Sequence, residues 1–90
     1  MAYRVVYSDT SRNLIRNLHP DLKLIIRTRL KKLAEKPYLG KPLVKKLSGY
    51  YSLRAKRYRI VYKVREQYQM IEIHFVGHRR DIYQLLKESI

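Results

Sequence analysis

Residues 51–76 alternate between apolar and polar side chains and read YSLRAKRYRIVYKVREQYQMIEIHFV. In the middle of this stretch one parity holds Tyr58, Ile60, Tyr62 and Val64, and the other holds Arg59, Val61, Lys63 and Arg65. On either side, Tyr51, Leu53 and Ala55 alternate with Ser52, Arg54 and Lys56, and Ile71, Ile73 and Phe75 alternate with Glu72, His74 and Val76. Successive side chains of a strand point to opposite faces, so the pattern predicts an antiparallel meander with one apolar and one cationic face. The cations expected to point away from the core are Arg54, Lys56, Arg59 and Lys63.

Upstream of these strands, the sequence predicts one strand and two helices. Residues 3–7 have the composition of a strand, and Ser8 or Asp9 offers an N-cap for a short helix. A longer amphipathic helix begins near Pro20 and ends before Pro37, and its apolar positions are Leu22, Ile25, Ile26, Leu30 and Leu33. The apolar face of the meander is where these helices would bury their stripes.

Downstream of the strands, Gly77 ends the alternation, and a short C-terminal helix is expected over Ile82, Tyr83, Leu85 and Leu86. The predicted fold class is therefore α+β: an N-terminal strand and a two-helix hairpin packed on an antiparallel sheet, with a short C-terminal helix. At 90 residues, we expect a single domain over residues 1–90.

Charge and composition exclude several classes of function and favour others. The chain has 21 Lys and Arg against 7 Asp and Glu, a net charge of +14, and ten of these cations lie between Glu35 and Glu66, where there is no acidic residue. Four tyrosines are interleaved with them, and cations combined with aromatic rings are typical of single-stranded RNA binding. Without cysteine, a disulfide scaffold, a Cys-based zinc site and a thiol nucleophile are excluded. With no apolar run of about 18 residues and no signal peptide at the start, we expect a cytoplasmic protein with no membrane partner.

The reactive side chains that remain are Lys, Arg, Tyr and His. His74 and His78 have the wrong surroundings for a metal site, and an ordinary structural role is the better interpretation for them. Cleavage of RNA needs no metal when a base takes the proton of the 2′-hydroxyl, cations stabilise the phosphorane and an acid protonates the 5′ oxygen. Arginine suits the second task because its planar fork binds two phosphate oxygens and stays charged.

Two motifs resemble the RelE/ParE superfamily of toxins from type II toxin–antitoxin systems: KLSG at residues 46–49 with YRIVY at 58–62, and VGHRRDIY at 76–83. In the RelE-like branch such toxins are ribosome-dependent endoribonucleases that cut mRNA without a metal or other cofactor. The resemblance implies that Arg59 grips the scissile phosphate, that Arg79 contacts a second phosphate or the leaving group, and that Tyr83 stacks on a base or helps proton transfer. It also places Arg54 and Lys56 in a strand that carries basic catalytic residues, although Ser52 stands where such an enzyme could carry a lysine.

Further residues and partners follow from the same resemblance. The residues expected to bind RNA are Lys45, Lys46, Lys63 and Arg80, and the general base stays open among Lys56, Tyr83 and His78. The expected partners are a cognate antitoxin in a hetero-oligomer, the ribosome and mRNA. Two other functions are compatible with the sequence: a ParE-like inhibitor of DNA gyrase without nuclease activity, and a non-toxic basic RNA-binding module.

Overall fold

A computed structural model describes residues 2–82 and residue 84 of the chain, and it contains a five-stranded sheet with two helices. The helices are α1 (Asp9–Arg16) and α2 (Pro20–Glu35), and the strands are β1 (Arg4–Tyr7), β2 (Lys41–Pro42), β3 (Tyr51–Ala55), β4 (Tyr58–Arg65) and β5 (Met70–His78). Single 3₁₀ turns occupy Lys45–Leu47 and Glu66–Tyr68. The strand order is β1-β5-β4-β3-β2. Strands β3 to β5 form the predicted antiparallel meander, the short β2 adds an antiparallel edge strand that was not predicted, and β1 joins the other edge parallel to β5.

Both helices begin where the sequence predicts. The Ser8 hydroxyl accepts a hydrogen bond from the Ser11 backbone N–H at 3.1 Å and caps α1. Pro20 is the first residue of α2, and the His19 Nδ1 accepts from the Asp21 N–H at 3.2 Å. The α+β prediction is confirmed, because the helices cover the apolar face of the sheet.

The main core lies between α2 and that apolar face. Its fully buried members are Ile26, Leu33, Ala55, Ile60, Tyr62, Ile71, Ile73 and Val76. Both the 3.6-residue spacing in α2 and the alternation in β4 are therefore confirmed.

The alternation fails in β5, at His74. Val61 pairs with Phe75 and Tyr62 pairs with Ile73, so His74 is the extra residue of a β-bulge. Phe75 therefore lies on the face opposite Ile73, in a second apolar cluster with Val61 and Ile82. The expectation of an entirely cationic second face was wrong, because the bulge puts an apolar patch at its centre.

The start of α1 holds the backbone of this bulge. The Ser8 hydroxyl donates to the His74 carbonyl at 3.2 Å, and the buried Ser11 hydroxyl donates to the Ile73 carbonyl at 2.8 Å. Two carbonyl groups at the irregular part of the ladder thus receive side-chain hydrogen bonds.

After β5 the chain turns back over the sheet. The Asp81 N–H donates to the His78 carbonyl at 2.9 Å, and Ile82 reaches Gly77, where an added Cβ would lie 3.2 Å from the Ile82 Cδ1. Of the predicted C-terminal helix, Tyr83, Leu85 and Leu86 fall outside the described residues. Among the helices that are described, none has the length and apolarity needed to cross a membrane.

Candidate functional site

Several arginine residues lie at the end of the sheet formed by the β3–β4 turn. Arg59 on β4 lies between Arg54 on β3 and Gly77 on β5 in the strand register. Arg79 follows two residues after Gly77, and its backbone N–H donates to the Arg57 carbonyl at 2.9 Å, which continues the pairing past the end of β5. The strand register therefore places Arg59 and Arg79 at the same end of the sheet.

Arg54 and Lys56 take positions that the sequence pattern does not predict. Lys56 lies outside β3, in the two-residue turn, with a positive φ of 57°. The Arg54 Nε donates to the Lys56 carbonyl at 3.2 Å. Both residues line a groove beside α2. The expectation that Lys56 shares the open sheet face with Arg59 and Lys63 was therefore wrong. Arg54 does pair with Arg59 in the strand register, as expected, although it also borders this groove.

The loop between β2 and β3 lies across the cationic face. Leu43, Leu47 and Tyr50 pack against the apolar cluster of Val61, Phe75 and Ile82. This packing fixes Lys45 and Lys46 as exposed residues of the 3₁₀ turn above the sheet. The two lysines that were expected to bind RNA therefore lie on the same side of the sheet as Arg59.

Lys63 belongs to an aromatic cluster on this face. Its ammonium nitrogen lies 4.5 Å from the centre of the Tyr50 ring, close enough for a cation–π interaction. The Tyr50 ring meets the His74 ring edge to face, with 5.3 Å between their centroids. An ordered ring pair next to a cation is a surface on which a nucleobase and its phosphate can bind.

Glu72 is the acid of this cluster. Its Oε1 lies 3.3 Å from the Arg65 Nε and 3.3 Å from the His74 Nε2. Partial burial raises the pKa of the Glu72 carboxyl, but the hydrogen bonds and charges of Arg65 and His74 outweigh burial and lower the pKa overall. Glu72 therefore stays ionised and fixes the orientation of the His74 imidazole.

His78 and Arg80 lie beyond the arginine pair. The His78 ring meets the Tyr58 ring at 5.7 Å, and its Nδ1 accepts from the Arg80 backbone N–H at 3.2 Å. Because Tyr58 packs with the main core, His78 is turned towards the helix side of the sheet and away from Arg59. Arg80 is exposed, whereas Tyr83 lies outside the described residues.

The sequence did not single out three residues that the structure places at or near the site. Tyr50 and His74 share the cationic face, but their contact depends on a loop packing and a bulge that have no local sequence signal. Arg57 was counted only as charge, and the two-residue turn places it between Arg54 and Arg79. In the described part of the chain, no cluster of three His, Asp or Glu side chains could hold a metal ion.

These side chains form a surface suited to a phosphate chain. Within the described residues, ion pairs with carboxylates involve only His19, Arg65 and His74. Arg59, Arg79 and Lys63 are therefore not paired with any carboxylate of the described residues, and their charge is available there to an anionic ligand.

Comparison with solved structures defines the class of this fold. The chain superimposes with a TM-score of 0.80 on a chain of the RelBE2 toxin–antitoxin complex from Mycobacterium tuberculosis, at 28% identity, covering 88% of this chain and 100% of that one. With the isolated RelE toxin of E. coli the TM-score is 0.74 at 21% identity, covering 99% and 100% of the two chains. The two-helix, five-strand architecture is that of RelE toxins.

The sequence comparisons show the family. Residues 7–83 match the family model described as the ParE toxin of the type II toxin–antitoxin system parDE. The chain is also 33% identical over 86 residues to Toxin RelG of Mycobacterium tuberculosis, covering 93% of this chain and 99% of that toxin. The protein belongs to this ParE toxin family and is a RelE-like toxin of a type II toxin–antitoxin system within the RelE/ParE superfamily.

Proposed function

We propose that this toxin is an endoribonuclease that cleaves mRNA on the ribosome without a metal. The observation that carries the proposal is the placement of Arg59 and Arg79 at one end of an RNA-sized cationic face, with Lys45, Lys46 and Lys63 along it. The two arginines lie at the same end of the sheet without a carboxylate partner in the described structure, so they are placed to bind one phosphate or two successive phosphates.

The proposed reaction is an in-line displacement at phosphorus. The 2′ oxygen forms a bond to the neighbouring phosphorus while its proton passes to a base. The bond from phosphorus to the 5′ oxygen breaks, and an acid protonates that oxygen, which leaves a 2′,3′-cyclic phosphate. Arg59 and Arg79 stabilise the charge that grows on the non-bridging oxygens, and preorganised cations of this kind commonly supply several kcal/mol.

Proton transfer has more than one candidate. Lys56 and His78 both face away from Arg59, whereas His74 lies on the same face and is oriented by Glu72. Tyr83 lies six residues after Gly77, at the end of the matched family region. We therefore propose Tyr83 and His74 as the first candidates for the base and the acid, with His78 and Lys56 as the other two.

We also propose that a cognate antitoxin neutralises the toxin and that its docking site is the groove between α1, α2 and β1. The groove has a volume of about 450 Å³ and an apolar floor formed by Val5, Ile15, Ile26, Leu30 and Ala34. Cations on its rim are Arg12, Lys23, Arg27 and Lys31. An acidic amphipathic helix fits this combination, and solved RelE relatives are toxin–antitoxin complexes.

Mapping of mRNA 5′ ends in cells after induction tests the nuclease proposal. We expect new 5′ ends within translated regions, and we expect Arg59→Ala with Arg79→Ala to remove them. The matched control is Arg4→Ala with Arg16→Ala, which also removes two exposed arginines but away from the Arg59 end of the sheet. Arg16 is on α1, and Arg4 pairs with Met70, seven residues before the Gly77 that pairs with Arg59. Growth arrest with intact transcripts would contradict nuclease activity.

Inhibition of DNA gyrase is the second candidate, because the family model that matches is named for ParE toxins. The same induced cells distinguish the two functions. A gyrase inhibitor would induce DNA damage while translation continued, whereas the nuclease stops translation first. The family match disfavours the third interpretation, a non-toxic RNA-binding module.

A further inference from the structure

Two rows of cations flank the buried stripe of α2. On one side Lys23, Arg27 and Lys31 border the groove proposed for the antitoxin. On the other side Arg29, Lys32 and Lys36 border a second groove, formed against the hairpin of β3 and β4. The two rows have the same composition of one arginine and two lysines, but the grooves beside them differ.

The second groove is larger and more polar than the first. Its volume is about 790 Å³, and Arg54 and Lys56 join Arg29, Lys32 and Lys36 along its walls. Leu39 and Leu53 are its apolar lining residues, and Glu35 is the carboxylate among the residues that line it. Within the described structure none of the five cations forms an ion pair with a carboxylate.

The second groove is continuous with the arginine end of the sheet. Arg54 and Lys56 line both this groove and a smaller adjoining cavity, which Leu22, Arg57 and Tyr58 complete. Arg54 pairs with Arg59 in the strand register, and the Arg57 carbonyl accepts from the Arg79 N–H. A row of cations therefore runs from Arg59 and Arg79, around the β3–β4 turn, to Lys36.

We propose that the groove between α2 and the β3–β4 hairpin binds the sugar–phosphate backbone of single-stranded RNA that continues from the sheet face. Five cations against one carboxylate, with a more polar lining than the first groove, favour phosphates over an apolar peptide face. The inference rests on the proposed function for the nature of the anion. The groove would be a flanking subsite, and only an RNA long enough to reach it from the sheet face would gain affinity from it.

The test measures binding of cleavage-resistant RNA, with 2′-O-methyl groups in place of the attacking hydroxyls, by fluorescence anisotropy. Two lengths are compared, roughly 4 nucleotides for the face alone and about 12 for the face and groove together. The groove variant is Arg29→Gln, Lys32→Gln and Lys36→Gln, and the charge-matched control is Lys23→Gln, Arg27→Gln and Lys31→Gln. Circular dichroism verifies that both variants fold.

We expect the groove variant to lose at least about tenfold in affinity for the longer RNA and less than about twofold for the shorter one. Loss of three phosphate contacts should also reduce the slope of log K against log salt by about 2, because each contact to a single strand contributes about 0.7. The control variant should change the affinity for either RNA by less than about twofold. Glu35→Gln removes the carboxylate that lines the groove and should bind the longer RNA severalfold more tightly. Asp9→Asn is its control, because it removes one acid on α1 and should leave the affinity unchanged.

Equal losses in the two triple variants would overturn the proposal, because they would show a general effect of net charge. Wild-type affinity of the groove variant for the longer RNA would also overturn it, as would loss of antitoxin binding in place of RNA binding. Cleavage of ribosome-bound mRNA is measured in parallel. Cleavage by the wild-type toxin together with wild-type affinity of the groove variant would overturn the subsite alone. Groove-dependent binding without cleavage by the wild-type toxin would overturn the nuclease function alone.

Discussion

The hydroxyl group of Tyr62 holds the chain between α2 and β2. It accepts a hydrogen bond from the Gly40 N–H at 2.9 Å and donates one to the Pro37 carbonyl at 3.0 Å. A Cβ at Gly40 would lie 2.6 Å from this oxygen, so glycine is required for the approach. The packing of β2 at the sheet edge therefore depends on one buried phenol.

Replacement of Tyr62 by phenylalanine should lower the free energy of unfolding by about 1–3 kcal/mol, because the Gly40 N–H loses its partner. Urea denaturation measures the change, and Tyr68→Phe on the exposed 3₁₀ turn is the control without effect. Burial raises the pKa of Tyr62 from 10.0 to about 12, so the unfolded chain loses this proton first as the pH rises. The Tyr62 contribution to stability is full below pH 10 and is lost as the pH rises towards 12, and Tyr62→Phe should remove that dependence. An unchanged alkaline profile would contradict the assignment.

Lys56 allows stability and activity to be separated at one position. Its φ of 57° lies in the left-handed region, which glycine adopts at no steric cost. Lys56→Gly should therefore stabilise the protein by about 0.5–1 kcal/mol in thermal or urea denaturation. If Lys56 takes part in cleavage, the same variant should cut RNA more slowly although it is more stable. Destabilisation would contradict the turn geometry, and an unchanged rate would exclude Lys56 as the base.

At the scale of elements, periodicity predicted the parts of the fold that are regular. The stripe of α2 and the faces of β4 follow from the spacing of Ile26, Leu33, Ile60 and Tyr62, because a helix and a strand each repeat with a fixed period. The bulge at His74 could not be predicted, since residues 71–76 keep alternating in sequence across it. The two-residue turn between β3 and β4 could not be predicted for the same reason. Lys56 continues the alternation of Ser52 and Arg54, so the sequence does not indicate that β3 ends at Ala55. Arg59 and Arg79 were found through the family motifs, whereas Tyr50 and His74 meet only through tertiary packing.

The bulge itself makes a prediction about β5. Deletion of His74 should leave Ile73 opposite Tyr62 and Phe75 opposite Val61, now as regular neighbours on opposite faces. The deletion variant should therefore fold with the same core, at the cost of the hydrogen bond from Ser8. Amide NMR spectra and thermal denaturation measure this outcome.

Deletion of Glu72 is the control, because it shifts Ile71 and Met70 by one position and inverts the faces that they occupy. That variant should unfold or lose much of its stability. Equal damage from the two deletions would contradict the assignment of His74 as the extra residue.

At the scale of the whole molecule, the net charge of +14 is divided among three surfaces. One is the sheet face with Arg59 and Lys63, and the other two are the grooves on either side of α2. The first groove has an apolar floor suited to a protein helix, and the second is lined mainly by cations. Under the proposed function, this division gives one small toxin separate surfaces for RNA and for an antitoxin.

Cleavage of mRNA on a programmed ribosome tests the central claim most directly. Purified toxin is added to ribosomes that hold a defined mRNA, in buffer containing a chelator of free transition metals, and the 5′ and 3′ ends of the products are identified. We expect cleavage to a 2′,3′-cyclic phosphate, loss of at least about a hundredfold in rate with Arg59→Ala and Arg79→Ala, and little change with Arg4→Ala and Arg16→Ala. Intact mRNA with the wild-type toxin, or an equal rate with the Arg59 and Arg79 double variant, would contradict the account.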